Sequence, residues 1–287
     1  MSSLQHTRRR IGSIKNTQQI TKAMKMVAAA KLKRAQERIL EARPYAQKML
    51  SVLESLSMRI ERGRHPLLAK RGDKKIEVMI VTSDRGLCGA FNANIIRRSM
   101  EFLKQKKEEG CEVTLNTVGR KGRDFFRRRD FEMRKTWADI FDRLSYENAS
   151  EMGKDIVESY EKGLFDEIYV VYNEFKSAIQ QRVITERLLP IEPSKPVEIE
   201  VVVDYIYEPS AEVILQSLLP KHIEVQVFRI LLESNASEYG ARMTAMDAAT
   251  KNAKELIKKL TLIYNRTRQE MITKELMDIV NGAEALR

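Results

Sequence analysis

The residues best placed to do chemistry are Ser83-Asp84-Arg85-Gly86-Leu87-Cys88-Gly89. They follow a β-rich run and precede a helical pattern, where exposed backbone amides could cradle a phosphate. The segment has neither the G-x-x-x-x-G-K-S/T spacing of a P-loop nor G-x-G-x-x-G. Its two glycines are therefore read as serving the turn itself. Cys88 could be a reactive thiol, although a buried, inert cysteine is the commoner case. Elsewhere the chemistry thins out. His6, His65 and His222 form no H-x-x-x-H pair and lack the spacing of zinc ligands. Glu108 and Glu109 sit at a charged helix end and read as solvation, and Arg127, Arg128 and Arg129 read as a surface cluster. No catalytic constellation emerges, and no cofactor or metal site is expected.

The elements that would position these residues fall into three stretches: 1–60, 74–203 and 209–287. The last holds no proline after Pro220, and only Gly240 and Gly282 interrupt its helix-favouring composition. From Ala249, residues Ala249, Ala253, Leu256, Leu260, Ile263 and Thr267 alternate in steps of four and three, the spacing of a coiled-coil seam. At about 1.5 Å per residue, the run from Lys221 to Ala285 would be a rod of roughly 95 Å, too long to bury its seam in one core. The first stretch offers a partner. Ile11, Ile14, Thr21, Ala28, Leu32, Ala35, Ile39 and Ala42 sit near heptad positions, with Gln18 and Lys25 as polar interruptions. Pro44 is expected to kink or end that helix. The alanine-rich region Ala28 to Ala35 is expected beside Ala249 to Leu260 in an antiparallel pair.

The middle stretch changes character. Ile76–Thr82, Cys111–Val118, Glu167–Tyr172, Ala178–Leu189 and Val197–Val203 read as extended runs. Phe91–Lys107, Gly119–Arg129 and Ala149–Glu161 read as helices. Alternation of this kind argues for an α/β sheet with some antiparallel edge. Pro190, Pro193 and Pro196 punctuate the approach to the last run.

Composition fits a soluble chain of one or two domains: 287 residues, 32% charged, mean hydropathy −0.41. No apolar run reaches the length of a membrane span, and the basic N-terminus lacks a signal-peptide core. Two cysteines offer no disulfide framework and point to a reducing compartment. Of a net charge of +11, residues 1–60 carry +10, from thirteen Lys or Arg against three Glu. Residues 221–287 are nearly balanced, eleven against nine. A basic rod can be a solvated face, or it can meet an acidic partner such as nucleic acid, anionic lipid or acidic protein loops. The absence of aromatics between Met1 and Arg43 gives no support to stacking on bases.

Several stretches resemble the gamma subunit of bacterial F-type ATP synthase. RRRIGSIKNTQQITKAMKMVAAAKLKRAQ (Arg8 to Gln36) is similar to its first shaft helix, and VTSDRGLCGAFNANI (Val81 to Ile95) to the start of its α/β domain. ESNASEYGARMTAMDAATKNA (Glu233 to Ala253) and YNRTRQEMITKELMDIVNGAEA (Tyr264 to Ala285) resemble its second helix, with the tail pattern I-T-x-E-x-x-D-x-x-x-G-A running from Ile272 to Ala283. The resemblance implies a long antiparallel coiled coil of N- and C-terminal helices with an inserted Rossmann-like α/β domain. It implies a non-catalytic rotor subunit, one copy per complex, coupling ion flow to ATP synthesis or hydrolysis. The implied partners are the alpha and beta subunits, the epsilon subunit and the membrane c-ring, at the cytoplasmic face of the inner membrane.

Residue by residue, the resemblance carries over Met24 and Lys25 as the turn passing acidic loops of beta. Arg242, Arg268, Gln269 and Thr273 match polar contacts with the alpha–beta hexamer. Asp204, Tyr205, Tyr207 and Glu208 match the foot on the rotor ring. Asn281 stands where the family often has glycine, and the cysteine-bearing insertion of the chloroplast relatives is absent. The alternative reading is a basic coiled-coil protein binding nucleic acid or a membrane surface. A third is a phosphate-binding α/β domain.

Overall fold

A computed structural model describes residues 2–57, 65–191, 208 and 210–284. The elements in chain order are α1 (Ser2–Ser57), β1 (Lys75–Val81), α2 (Phe91–Glu108), β2 (Glu112–Val118), α3 (Arg120–Phe126), β3 (Glu132–Trp137), α4 (Tyr146–Glu161), β4 (Glu167–Phe175), β5 (Gln181–Leu189) and α5 (Ala211–Glu284). The expected extended run at Val197–Val203 lies outside the described residues. Contacts divide the chain inside the two long helices, into one unit of 1–28 with 243–287 and a second unit of 29–242.

The second unit is built on a five-stranded sheet in the order β3-β2-β1-β4-β5. β1, β2, β3 and β4 run parallel, and β5 lies antiparallel on the β4 edge. Strand alternation divides the core between the two faces. Ile76, Val78 and Ile80 of β1 join Ile95, Leu103 and Phe126 on the face covered by α2 and α3. Met79 and Val81 join Met152, Ile156 and Tyr160 of α4, with Met49 of α1 and Leu219, Val227 and Leu231 of α5, on the other.

Three departures from the expected elements have physical causes. Glu132–Trp137, missed as a strand, forms β3. Its charges suit a sheet edge, where they discourage further pairing but erase the apolar alternation that marks a strand. The run expected from Ala178 starts at Gln181, because Ser177 to Gln180 make a turn closed by the Ser177 amide on the Gln180 carbonyl at 3.0 Å. Helix α1 continues through Pro44, and α5 begins before Pro220 and continues through it. Each proline forfeits one backbone bond. Beside them Ala42, Ala46 and Met49 of α1, and Leu219 and Ile223 of α5, pack into the same core. That burial offsets the loss.

In the first unit the two helices run antiparallel. Thr250 Oγ1 donates to Thr21 Oγ1 at 2.8 Å, and Lys25 Nζ meets Asp247 Oδ1 at 2.6 Å. Four residues forward in α1 is thus three residues back in α5. The expected α1 seam holds: Ile11, Ile14, Gln18, Thr21 and Ala28 are its less exposed positions in this unit. The register does not. Thr21, not the alanine-rich stretch, lies beside Thr250. The α5 seam keeps Ala253, Leu260 and Thr267 of the expected one, but runs through Met246, Thr250, Ile257, Tyr264 and Met271 rather than Leu256 and Ile263. Leu256 and Ile263 are 48% and 54% exposed. Both phases offer apolar residues at steps of three and four, so the pattern of one helix alone cannot choose. The polar pairs Thr21–Thr250 and Lys25–Asp247 form in one phase only, as buried polar positions set register in other helix pairs. Cysteines at positions 21 and 250 should therefore cross-link efficiently in the folded chain. A pair at 28 and 256 should not. Equal yields for the two pairs would refute the register.

Candidate functional site

Two places concern the residues singled out from sequence: the turn after β1, and the surface of the two-helix unit. Around the turn, four amides that could cradle an anion are taken by the chain itself. The Ser83 amide donates to Asn92 Oδ1 at 3.0 Å, and the amides of Arg120 and Asp139 both donate to Asp84 Oδ1 at 3.0 Å. The Gly122 amide donates to Thr82 Oγ1 at 2.8 Å. Gly119, at φ +88°, brings β2 so close that a Cβ there would stand 2.3 Å from the Thr82 carbonyl oxygen. Cys88 is buried among these groups, accepting from Asn92 Nδ2 at 3.2 Å, and burial pushes its thiol up, away from the reactive thiolate.

In an open α/β sheet the ligand crevice lies at the carboxyl ends of the strands where strand order reverses, here between β1 and β4. The chain's own α5 crosses that position. Ser237 Oγ donates to the Asn173 carbonyl at 3.2 Å, and a Cβ on Gly240 would stand 3.0 Å from the Ala178 carbonyl oxygen. Arg242 Nη2 donates to the Gly86 carbonyl at 3.1 Å and pairs with Glu238 Oε1 at 2.6 Å. Burial raises the Glu238 carboxyl, and the Arg242 guanidinium opposes that rise. Helix α1 is tied to the same loop, since Asp142 meets Arg85 at 2.7 Å and Lys31 at 3.7 Å. The turn is a clasp around helices rather than a phosphate cradle. The purified chain should neither retain nor hydrolyse ATP. ATP turnover abolished by Asp84→Asn would overturn this account of the turn.

An apolar groove of about 660 Å³ lies away from the turn, between Ile39–Leu50 of α1 and Lys221–Glu233 of α5. Among the described residues no group of three or more His, Cys, Asp or Glu could hold a metal ion, and no helix is long and apolar enough to cross a membrane.

The remaining sequence-chosen residues divide between the units. Met24 is half-buried beside the seam, and Lys25 is held by Asp247. Arg268, Gln269 and Thr273 are exposed on α5, at spacings that place them on neighbouring faces. Arg242 points inward, with 11% of its side chain exposed. Glu208 is exposed, whereas Asp204, Tyr205 and Tyr207 lie outside the described residues. Sequence reasoning missed Asn92, Asp142, Glu238 and Asp247. The i,i+4 pairs Glu238–Arg242 and Asp247–Lys251 were legible as helix pairs. Their cross-element roles were not.

Two surface features of the two-helix unit stand out. Ile20 and Val27 are 60% and 57% exposed, and with Met24 between them they make an uncharged strip at i, i+4, i+7 beside the seam. Farther along α5, every residue from Ile272 to Ala283 is exposed, including Leu276, Met277, Ile279 and Val280.

The described fold is a two-helix seam and an α/β unit whose sheet crevice is covered by its own helix α5. The family model described as ATP synthase matches residues 3–286. The chain is 53% identical to the ATP synthase gamma chain of Geobacter sp. (strain M21), over 287 residues and the full length of both. It is 52% identical over 290 residues to that of Anaeromyxobacter sp. (strain Fw109-5), again over the full length of both. Among solved structures it is similar to a chain of the Tetrahymena thermophila mitochondrial ATP synthase central stalk and c-ring, at 26% identity and TM-score 0.60, covering 80% of this chain and 99% of that one. A chain of the Euglena gracilis mitochondrial ATP synthase shares the fold at 23% identity and TM-score 0.69, with 99% and 95% covered. The chain belongs to the ATP synthase gamma chain family.

Proposed function

We propose that this chain is the central-stalk rotor subunit of a bacterial F-type ATP synthase, present once per complex. It is non-catalytic and couples ion flow through a membrane c-ring to ATP synthesis or hydrolysis in an alpha–beta hexamer. The observation that carries the reading is the bare end of α5. These are twelve consecutive exposed residues, five of them large and apolar, and clustered exposed apolar side chains mark a surface that a partner covers. A surrounding sleeve of alpha and beta subunits would cover them. Met24, Lys25, Arg268, Gln269 and Thr273 then face that sleeve, and Arg242 acts from inside the clasp. Asp204, Tyr205, Tyr207 and Glu208 form the foot on the c-ring, with the epsilon subunit alongside. The subunit sits peripherally, at the cytoplasmic face of the inner membrane.

For rotation to drive chemistry, the shaft must interact differently with each beta conformation. A surface with equal affinity for all of them would shift none. An asymmetric pair of helices meets that requirement, with one helix running bare past the seam. The rival reading, a basic coiled coil on nucleic acid, fits the +10 of residues 1–60 but offers no use for the apolar end of α5. The test is purification of the tagged full-length chain from native membranes. Two larger nucleotide-binding subunits and a ring subunit should co-purify. Recovery without them, together with steeply salt-dependent binding to plain DNA, would favour the rival.

A further inference from the structure

At the level of Met24 the two helices of the first unit meet through a small charged cluster. Both oxygens of the Asp247 carboxylate are occupied by lysines: Oδ1 by Lys25 of α1 at 2.6 Å, and Oδ2 by Lys251, one turn on in α5, at 2.9 Å. The next contact along is the uncharged Thr250–Thr21 bond. Asp247 is the one acidic residue between Glu238 and Glu255 in α5, and α1 carries none between Met1 and Glu37. In the sequence, residues 1–36 thus have no acid of their own to balance nine Lys or Arg. Lys25 adjoins the uncharged Ile20–Met24–Val27 strip and is 43% exposed, within reach of whatever surrounds the strip.

We propose that Asp247 is a positioning residue that tethers Lys25 and Lys251 to the helix pair, keeping the Met24 strip free of mobile cations toward an acidic sleeve. The inference rests on the rotor reading above. It adds a residue that touches no partner itself and acts by holding two that could. The two lysines also hold the Asp247 carboxyl below its usual range, with the Lys25 bond the larger cause, so the tether stays charged at neutral pH. Without Asp247, Lys25 becomes a long flexible cation able to pair with a carboxylate in one rotary position more than in the others. The helix pair keeps its Thr21–Thr250 contact and apolar seam.

The test uses the complete complex in membrane vesicles and reads ATP-driven ion uptake per ATP hydrolysed. Asp247→Asn should lower that ratio by about threefold, the order expected for one partly exposed ion pair made in the wrong place. Asp247→Glu should preserve it. Cross-linking between cysteines at positions 21 and 250 should stay efficient in Asp247→Asn, because the Thr21–Thr250 contact keeps the helix register. Glu270→Gln, which removes the exposed Arg266–Glu270 pair elsewhere on α5, serves as the control for losing any pair. A ratio unchanged in Asp247→Asn while Met24→Lys lowers it overturns the tether and leaves the rotor reading standing. A ratio unchanged in both overturns the acidic-sleeve reading and the tether with it. A fall accompanied by loss of the 21–250 cross-link assigns Asp247 to register alone and overturns the proposal. So does failure of Asp247→Asn to assemble, since a carboxylate that only tethers exposed lysines is not needed for folding.

Discussion

Replacing Met24 by lysine should leave the complex assembled but poorly coupled, with ion transport per ATP falling several-fold, while Met24→Leu stays near wild type. Met24 lies between Ile20 and Val27 in an outward apolar strip and beside a seam whose Lys25 is already paired. An unbranched thioether slides past changing surroundings without committing to one of them. A lysine there has no acidic partner on its own helix, because α1 carries none before Glu37. It would pair with the sleeve wherever a carboxylate comes within reach. A charge-assisted hydrogen bond of that kind could deepen one rotary position by about 1.5–3 kcal/mol, roughly ten- to a hundredfold in dwell time. Pumping and ATPase rates measured side by side in vesicles decide it. Equal coupling in the lysine variant would reduce Met24 to ordinary helix packing.

Arg242→Ala should destabilise the α/β unit by about 3–5 kcal/mol, the cost of breaking one side of a buried ion pair. Arg242 and Glu238 are 11% and 6% exposed, and the guanidinium also donates to the loop carbonyl of Gly86. Alanine removes both the counter-charge and the pin that fastens the 83–89 turn to α5. Arg242→Lys keeps the charge but not the fork that reaches carboxylate and carbonyl together, so its loss should be smaller. The pH dependence carries a sign. Burial raises the folded-state pKa of Glu238 above its unfolded value. Stability from the protonated carboxyl is therefore fully present below the unfolded pKa and is lost as pH rises through the folded one. Without Arg242 to oppose that rise, the alanine variant should lose more stability between acidic and neutral pH than wild type. Urea unfolding of the full-length chain at several pH values measures both effects. A loss under about 1 kcal/mol at neutral pH would show that the clasp does not depend on Arg242.

The clasp also explains what a turn with the look of a ligand site does inside this fold. A strand, a glycine-bearing turn and a helix are the local ingredients of a phosphate cradle, and Ser83 to Gly89 supplies all three. Whether its amides face a ligand depends on Asn92, Asp84 and Asp139, and on a helix that returns from more than 140 residues away to cover the crevice. Only the three-dimensional arrangement brings these together.

What the sequence alone determined is what repeats locally. The α1 seam from Ile11 to Ala42, the buried runs of β1, β2 and β4, and the long helical segments each carry their own periodicity, and side-chain direction follows periodicity directly. The family was legible too, because its motifs are contiguous. The tertiary structure decided whatever depends on two segments meeting. It chose the α5 phase that hides Ile257 and Tyr264 while leaving Leu256 and Ile263 outside, and it placed Thr21 rather than the alanines opposite Thr250. It turned Arg242 inward to Glu238 and joined Lys25 to Asp247. A helix with apolar residues at two competing phases is degenerate by itself. The partner's side chains break the tie, because a polar pair formed in one register is lost in the others.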